Sequence, residues 1–103
     1  MEFNNVTAHA LANIYFDGKV ISHAITTAEG EKKSYGVILP GSYHFGTEAA
    51  ERMDIIAGSC SVELDGNSQK QIISTGSHFD VPANSGFTIE VEETAQYICT
   101  YIN

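Results

Sequence analysis

Basic residues are scarce in this chain, which has five lysines and arginines against thirteen aspartates and glutamates and a formal net charge of −8. Nucleic-acid backbones and anionic membranes attract positively charged surfaces, so the charge balance argues against both as partners. Cysteine is scarce too, and the distance between Cys60 and Cys99 excludes CxxC redox chemistry. In a reducing compartment we expect both cysteines to be small buried apolar residues without a disulfide.

Long apolar stretches are absent as well. No run of strictly apolar residues exceeds three, whereas a membrane-spanning helix needs about 20. The first residues, MEFNNVTAHALAN, contain a glutamate and no basic cluster, so they do not resemble a secretory signal. We therefore expect a cytoplasmic protein, and the apolar content of 43% is sufficient for one folded domain.

Short runs of β-branched and aromatic residues alternate with turn residues along most of the chain. Residues 87–91, Phe-Thr-Ile-Glu-Val, alternate between apolar and polar side chains, which is typical of a strand with one buried face. Beyond residue 13 no segment has a sustained helical period, and Thr47–Glu51 is long enough for one helical turn only. The sequence predicts an all-β sandwich or barrel with nine strands: Lys19–Ile25, Ser34–Leu39, Ser42–Phe45, Arg52–Ala57, Cys60–Leu64, Gln71–Ser74, His78–Val81, Phe87–Val91 and Gln96–Ile102.

The predicted organisation is one β-domain over residues 14–103, preceded by an extension over residues 1–13. The sequence leaves the form of this extension open between a tail, an edge strand and a short helix. A small β-domain with a spare segment and an exposed sheet edge readily pairs with a second copy, so we expect a homodimer.

The four histidines are widely separated in sequence. His9, His23, His44 and His78 lie 14, 21 and 34 residues apart. Metal sites on β-scaffolds usually take histidines from neighbouring positions, in H-x-H or H-x₃₋₅-H spacing. The spacing therefore argues against a histidine-rich metal site.

Two spaced motifs stand out in the second half of the chain, Glu51-x₆-Gly58 and Gly76-x₅-Pro82. The first resembles the end of the first cupin motif, G-x₅-H-x-H-x₃₋₄-E-x₆-G, and the second resembles the start of the second cupin motif, G-x₅-P-x-G-x₂-H-x₃-N. This resemblance implies a single-domain cupin-type β-barrel of the jelly-roll class.

The metal-binding positions of these motifs are poorly filled here. The two histidine positions of the first motif fall on His44 and Gly46, or on Phe45 and Thr47 with the shorter spacing, and that of the second motif falls on Phe87. At most His44 and Glu51 remain of four ligands, so we expect no stable metal site and no cofactor. A metal-dependent oxygenase or isomerase is correspondingly disfavoured.

A more specific resemblance covers residues 14–102. The segments NIYFDGKVIS, SYGVILPGSYHF, ERMDIIAGSCSVEL, GSHFDVPANSGFTIEV and YICTYI are similar to the small bacterial cupins of the pyrimidine/purine nucleoside phosphorylase family. The most specific pieces are YFDGKV and the terminal Y-x-C-x-Y. The resemblance implies a pentosyltransferase that converts a nucleoside and orthophosphate into free base and pentose 1-phosphate, without a metal and with broad base specificity. The alternative is a non-catalytic cupin that binds a nucleoside, a sugar or another small ligand.

Phosphorolysis needs donors for phosphate beneath C1′, tolerance of positive charge on the sugar and a proton or hydrogen bond for the leaving base. The catalytic candidates are Glu51, which can orient ribose hydroxyls or stabilise charge at C1′, and His78 or Asp80, which can protonate the base. Lys19 is a candidate phosphate anchor, as are Arg52 and Lys33. The remaining substrate-binding candidates are side chains expected to face the interior: Tyr43, Phe45, Met53, Phe87, Tyr97 and Tyr101.

Overall fold

The computed structural model describes residues 1–102, which contain eleven β-strands and one short 3₁₀ turn over Phe16–Gly18. The strands are β1 (Thr7–Ala8), β2 (Asn13–Tyr15), β3 (Val20–Thr26), β4 (Lys32–Ile38), β5 (Gly41–Gly46), β6 (Ala50–Ala57), β7 (Cys60–Leu64), β8 (Lys70–Ile73), β9 (His78–Val81), β10 (Gly86–Val91) and β11 (Ala95–Ile102). Asn103, the last residue of the predicted domain, lies outside the described residues. Within residues 1–102, no helix has the length and apolar character needed to cross a membrane.

All nine strands predicted from the sequence are present, with ends that differ by at most two residues. The helical turn considered for Thr47–Glu51 does not form, because Ala50 and Glu51 already pair with β11 at the start of β6. Thr47 is held instead by a 2.7 Å hydrogen bond from its hydroxyl to the Pro82 carbonyl oxygen. Tertiary pairing thus overrides a weak local preference.

The strands form two antiparallel sheets. The larger has the order β1-β3-β4-β11-β6-β9, with β2 also paired to β3, and the smaller has the order β5-β10-β7-β8. Gly58 and Gly76, the glycines of the two cupin-like motifs, lie at turns with φ of 77° and 90°. This left-handed conformation carries little cost for glycine and a steric cost for other residues.

The two sheets share one hydrophobic core. Alternation along β10 buries Phe87, Ile89 and Val91, while alternation along β6 buries Met53 and Ile55. All five side chains belong to the same buried cluster. Burial of apolar surface between the sheets makes the main favourable contribution to the free energy of their packing.

Residues 1–13 contribute two short pairings to the edge region of the larger sheet. Thr7–Ala8 pairs with Thr26 and Ile25 of β3, and Asn13 pairs with Ser22 farther along the same strand. These pairings bring the chain to Tyr15 and Phe16 at the start of the 3₁₀ turn.

Candidate functional site

A cavity of about 320 Å³ lies between the inner faces of the two sheets. Its volume is in the range of small-molecule sites, about 300–1,000 Å³. The larger sheet supplies a mostly polar wall, and the smaller sheet together with the Phe16–Gly18 turn supplies an aromatic wall. The cavity therefore has two chemically different sides.

The polar wall is built by three neighbouring strands of the larger sheet. Ser34 comes from β4, Cys99 and Tyr101 from β11, and Glu51 from β6, and all four line the cavity. Strand register places Cys99 opposite Ser34 and Tyr101 opposite Glu51. The Cys99 Sγ lies 3.5 Å from Glu51 Oε1, and Ser34 Oγ lies 3.3 Å from the Tyr101 hydroxyl. Ser22 of β3 extends this wall.

Burial controls the protonation of these groups. It raises the pKa of the Glu51 carboxyl, and the hydrogen bond from Cys99 partly offsets this effect. Burial also raises the pKa of the Cys99 thiol, and the neighbouring Glu51 carboxylate raises it further. For Tyr101, burial raises the pKa to about 12. At neutral pH the thiol and the phenol therefore keep their protons and act as uncharged hydrogen-bond donors.

The aromatic wall centres on two phenylalanines of the smaller sheet. The rings of Phe45 and Phe87 stack with centroids 5.6 Å apart and an interplanar angle of 26°. Phe16 meets Phe45 edge-on at 5.4 Å, and Tyr15 meets the same ring at 6.1 Å. Tyr15 and Phe16 remain 44% and 43% exposed. They form the open side of the aromatic wall, where a flat apolar group can stack.

The turn that carries Phe16 has an unusual backbone. Phe16, Asp17 and Gly18 have φ of 52°, 56° and 88°, three consecutive residues in the left-handed region. Such a conformation costs energy for residues with a side chain, and strained residues of this kind cluster at active sites and ligand clamps. The backbone of Lys19 fixes the turn, since its N–H donates to Phe16 and its carbonyl accepts from Leu39.

Six of the residues predicted from the sequence line the cavity: Glu51, Phe45, Met53, Phe87, Tyr97 and Tyr101. Tyr43 is buried beside them but does not line the cavity, and its hydroxyl donates to the Leu39 carbonyl at 2.7 Å. Sequence reasoning missed Tyr15, Phe16, Ser22 and Ser34. The segment YFDGKV contains the first two, so the family-specific match was the available signal for them.

Three predicted residues are not brought to the cavity. Lys19 is exposed, and its side chain is not among the cavity-lining groups. His78 and Asp80 lie on the outer face of β9, with Nε2 and Oδ2 3.4 Å apart, because the alternate positions Phe79 and Val81 fill the core. The shared face predicted for His78 and Asp80 is thus the outer one.

The other candidate phosphate anchors also lie elsewhere. Arg52 pairs with Asp54 at 3.2 Å, and Lys33 donates to Thr100 at 3.1 Å. In the part of the chain that the structure describes, no lysine or arginine lines the cavity.

The cupin ligand positions show how the interior differs from a metal site. His44 is exposed and also lines the cavity, and its Nε2 bonds the Asp65 carboxylate at 3.0 Å beside Gly86, where a Cβ atom would collide with Asp65. Phe45 and Phe87 line the cavity too and are less exposed than His44. Over residues 1–102, no three histidine, cysteine or acidic side chains are grouped closely enough to hold a metal ion.

Comparison with known proteins gives a consistent result. The family model for pyrimidine/purine nucleoside phosphorylase matches residues 10–101. A pyrimidine/purine nucleoside phosphorylase from Hydrogenovibrio crunogenus is 50% identical over 102 residues, which cover 99% of this chain and 98% of that protein. One from Burkholderia ambifaria is 48% identical over 101 residues, which cover 98% of this chain and 95% of that protein.

Solved structures agree with the sequence comparison. A protein of unknown function from Acinetobacter sp. ADP1 superposes with a TM-score of 0.95 at 39% identity, covering 98% of each chain. The Clostridium difficile EutQ protein has a TM-score of 0.66 at 21% identity, covering 80% of this chain and 67% of that one. Oxalate decarboxylase has a TM-score of 0.75 at 14% identity, covering 100% of this chain and 30% of that one. The latter two are cupin-type proteins, so the predicted cupin-type all-β fold is confirmed.

Proposed function

This chain belongs to the pyrimidine/purine nucleoside phosphorylase family, and we propose that it catalyses the phosphorolysis of nucleosides. An orthophosphate oxygen forms a bond to C1′ while the bond from C1′ to the base nitrogen breaks. The bonding electron pair leaves with the base, which takes up a proton, and the products are free base and pentose 1-phosphate. The observation that carries the proposal is the two-sided cavity, since a nucleoside has one flat apolar part and one hydroxyl-rich part.

The base is proposed to stack on the aromatic wall. Phe45 and Phe87 give a flat surface, and Phe16 extends it toward solvent. Stacking accepts any base, because every base has a π-face. No asparagine or glutamine side chain of residues 1–102 lines the cavity to read exocyclic groups, which supports the broad specificity toward purines and pyrimidines that we propose.

The sugar and phosphate are proposed to face the polar wall. Glu51 is the one acidic side chain lining the cavity within residues 1–102, and as a carboxylate it stabilises the positive charge that develops at C1′. We propose that no metal is required, because the inward positions corresponding to cupin histidines carry Phe45 and Phe87, which have no ligand atom. The leaving base takes up a proton from solvent that enters past the half-exposed Tyr15 and Phe16, and the proton that orthophosphate loses on forming the ester returns to solvent, so the protons balance.

The proposed setting is a cytoplasmic homodimer. Exposed apolar side chains on the outer face of the larger sheet, among them Ile21, Val37 and Ile56, support association with a second copy. Light scattering at micromolar concentration should give the mass of two chains, and a monomeric mass would contradict this part of the proposal.

One observation favours the alternative of a non-catalytic nucleoside-binding or sugar-binding module. Within residues 1–102 the cavity has no lysine or arginine to attract orthophosphate. A protein that binds nucleosides without turnover would not need such a group.

The assay that separates the two functions is direct. Purified protein is incubated with uridine or adenosine and EDTA, with and without phosphate, and free base and pentose 1-phosphate are measured by chromatography. We expect base to be released from both nucleosides only when phosphate is present. If neither nucleoside yields base but both raise the melting temperature, the protein is a binding module.

Replacing Phe16 with alanine tests the aromatic wall. Because base–aromatic stacking contributes about 1–3 kcal/mol per base, we expect the KM for adenosine and uridine to rise by about tenfold with kcat little changed. Kinetics at saturating phosphate measure this, and Phe16→Tyr should retain most of the affinity because it keeps the ring. An unchanged KM in Phe16→Ala would exclude Phe16 from the base site.

A further inference from the structure

The geometry points to an oxyanion subsite formed by Ser34, Cys99, Tyr101 and Glu51 that accepts oxyanions carrying a proton, such as orthophosphate and arsenate, and rejects sulfate. This inference rests on the proposed function, because it identifies where the phosphate of that reaction binds. We call these four residues the oxyanion cluster.

The donors of the oxyanion cluster are uncharged. Ser34 and Cys99 are each 3% exposed, and their side chains line the cavity beside the Tyr101 hydroxyl. The 3.3 Å contact between Ser34 and Tyr101 and the register of Cys99 with Ser34 bring the three donors to one part of the polar wall. Each hydroxyl and the thiol has one proton, so the three groups can each donate a hydrogen bond to an oxyanion oxygen when the anion replaces the Ser34–Tyr101 bond and the bond from Cys99 to Glu51.

Uncharged donors, rather than lysine or arginine, are the groups available to bind an oxyanion at the oxyanion cluster. Among residues 1–102 the lysine and arginine side chains lie outside the cavity, where Lys33 and Arg52 contact Glu31 and Asp54 and Lys70 contacts Glu90. The cavity-lining His44 is bonded to Asp65. Beside side chains as buried as Ser34 and Cys99, oriented dipoles interact with an anion more strongly than they do in water.

Glu51 gives the cluster its selectivity. Its Oε1 lies 3.5 Å from Cys99 Sγ, so an oxyanion held by Cys99 also meets this carboxylate. An ionised carboxylate only accepts hydrogen bonds, so the oxygen that faces it must carry a proton. Orthophosphate and arsenate retain a proton near neutral pH and can donate it. Sulfate has none, and its oxygen would face the carboxylate with like charge and no hydrogen bond.

Isothermal titration of the full chain with inorganic phosphate, arsenate and sulfate at constant ionic strength tests this selectivity, with and without saturating uridine. We expect sulfate to bind at least about tenfold more weakly than phosphate and arsenate, which corresponds to leaving one buried group without a hydrogen bond. Glu51→Gln offers an amide N–H donor, so its preference for phosphate over sulfate should fall to about onefold to threefold. Ser34→Ala and Tyr101→Phe should each weaken the binding of phosphate and of sulfate by similar factors and leave the preference for phosphate unchanged.

The matched control is Glu63→Gln, which removes the same charge from a half-buried position on β7 that does not line the cavity. It should bind all three oxyanions like the parent protein. Equal binding of sulfate and phosphate by the parent, an unchanged preference in Glu51→Gln, or no phosphate binding with or without uridine would overturn the inference.

The oxyanion titration and the base-release assay can give different results, so failure of the subsite can be distinguished from failure of the proposed function. Selective phosphate binding without base release would support the subsite and contradict the phosphorylase proposal. Base release with an unchanged oxyanion preference in Glu51→Gln would support the phosphorylase and contradict the subsite.

Discussion

Replacing Phe87 with alanine is expected to lower the free energy of unfolding by about 3–5 kcal/mol, the usual cost of truncating a buried phenylalanine. Phe87 is 2% exposed and belongs to the core cluster shared by both sheets. Its ring contacts Phe79 of the larger sheet at 5.3 Å and Phe45 of its own sheet at 5.6 Å. Truncation removes both aromatic contacts and leaves a void that the two sheets cannot close without shifting.

Urea unfolding of Phe87→Ala and of the parent protein measures the effect. A small domain has a stability of about 5–15 kcal/mol, so the variant should unfold at a much lower urea concentration. The control is Ile72→Ala, because Ile72 is 78% exposed on β8 and its truncation should change stability by less than about 0.5 kcal/mol. Similar losses in the free energy of unfolding for the two variants would contradict the description of Phe87 as a core residue packed between the two sheets.

Replacing Glu51 with glutamine is expected to lower kcat/KM for nucleoside phosphorolysis by about 10²-fold, within the range for losing one catalytic acid, base or electrostatic group. Glutamine keeps the shape of the side chain but cannot stabilise positive charge at C1′. Steady-state kinetics with adenosine at saturating phosphate measure the change, and Glu63→Gln should keep the parent rate. Parent-like kinetics in Glu51→Gln would exclude a catalytic role for Glu51.

The same substitution should change the pH dependence of stability. Burial raises the pKa of the Glu51 carboxyl in the folded state above its ordinary value. Folding therefore takes up protons at pH values between the unfolded-state and folded-state pKa, and the free energy of unfolding falls as the pH rises through that interval. Glutamine does not titrate, so Glu51→Gln should lack this fall in the free energy of unfolding. At pH values above the interval, the variant should be at least as stable as the parent. Unfolding measured from pH 4 to 8 tests the prediction, and a variant less stable than the parent across this range would contradict it.

Most of the strands could be predicted from sequence because they follow from local chemistry. The alternation of Phe87, Ile89 and Val91 identifies a half-buried strand without knowledge of its partners. The Thr47–Glu51 segment was harder, since its conformation depends on β11 and on the carbonyl of Pro82, which are distant in sequence. Local preferences cannot report such pairings.

Part of the candidate site could be predicted because alternation along a strand identifies residues that share a face. Alternation places Glu51 with Met53, and Tyr97 with Tyr101, so one correct inward residue fixes its neighbours. For His78 and Asp80, alternation gives a shared face but does not say whether that face is inside. The burial of Phe79 and Val81 decides it, and this depends on how β9 docks against β6.

The sequence by itself determined the all-β class, the strand spans and the absence of closely spaced histidines, because each is written in neighbouring residues. Tertiary structure alone decided that Ser34, Cys99, Tyr101 and Glu51 meet on one wall and that a left-handed turn brings Phe16 onto Phe45. The physical reason is strand order. The larger sheet sets β11 between β4 and β6, so residues dozens of positions apart become neighbours through hydrogen bonds whose partners no local pattern specifies.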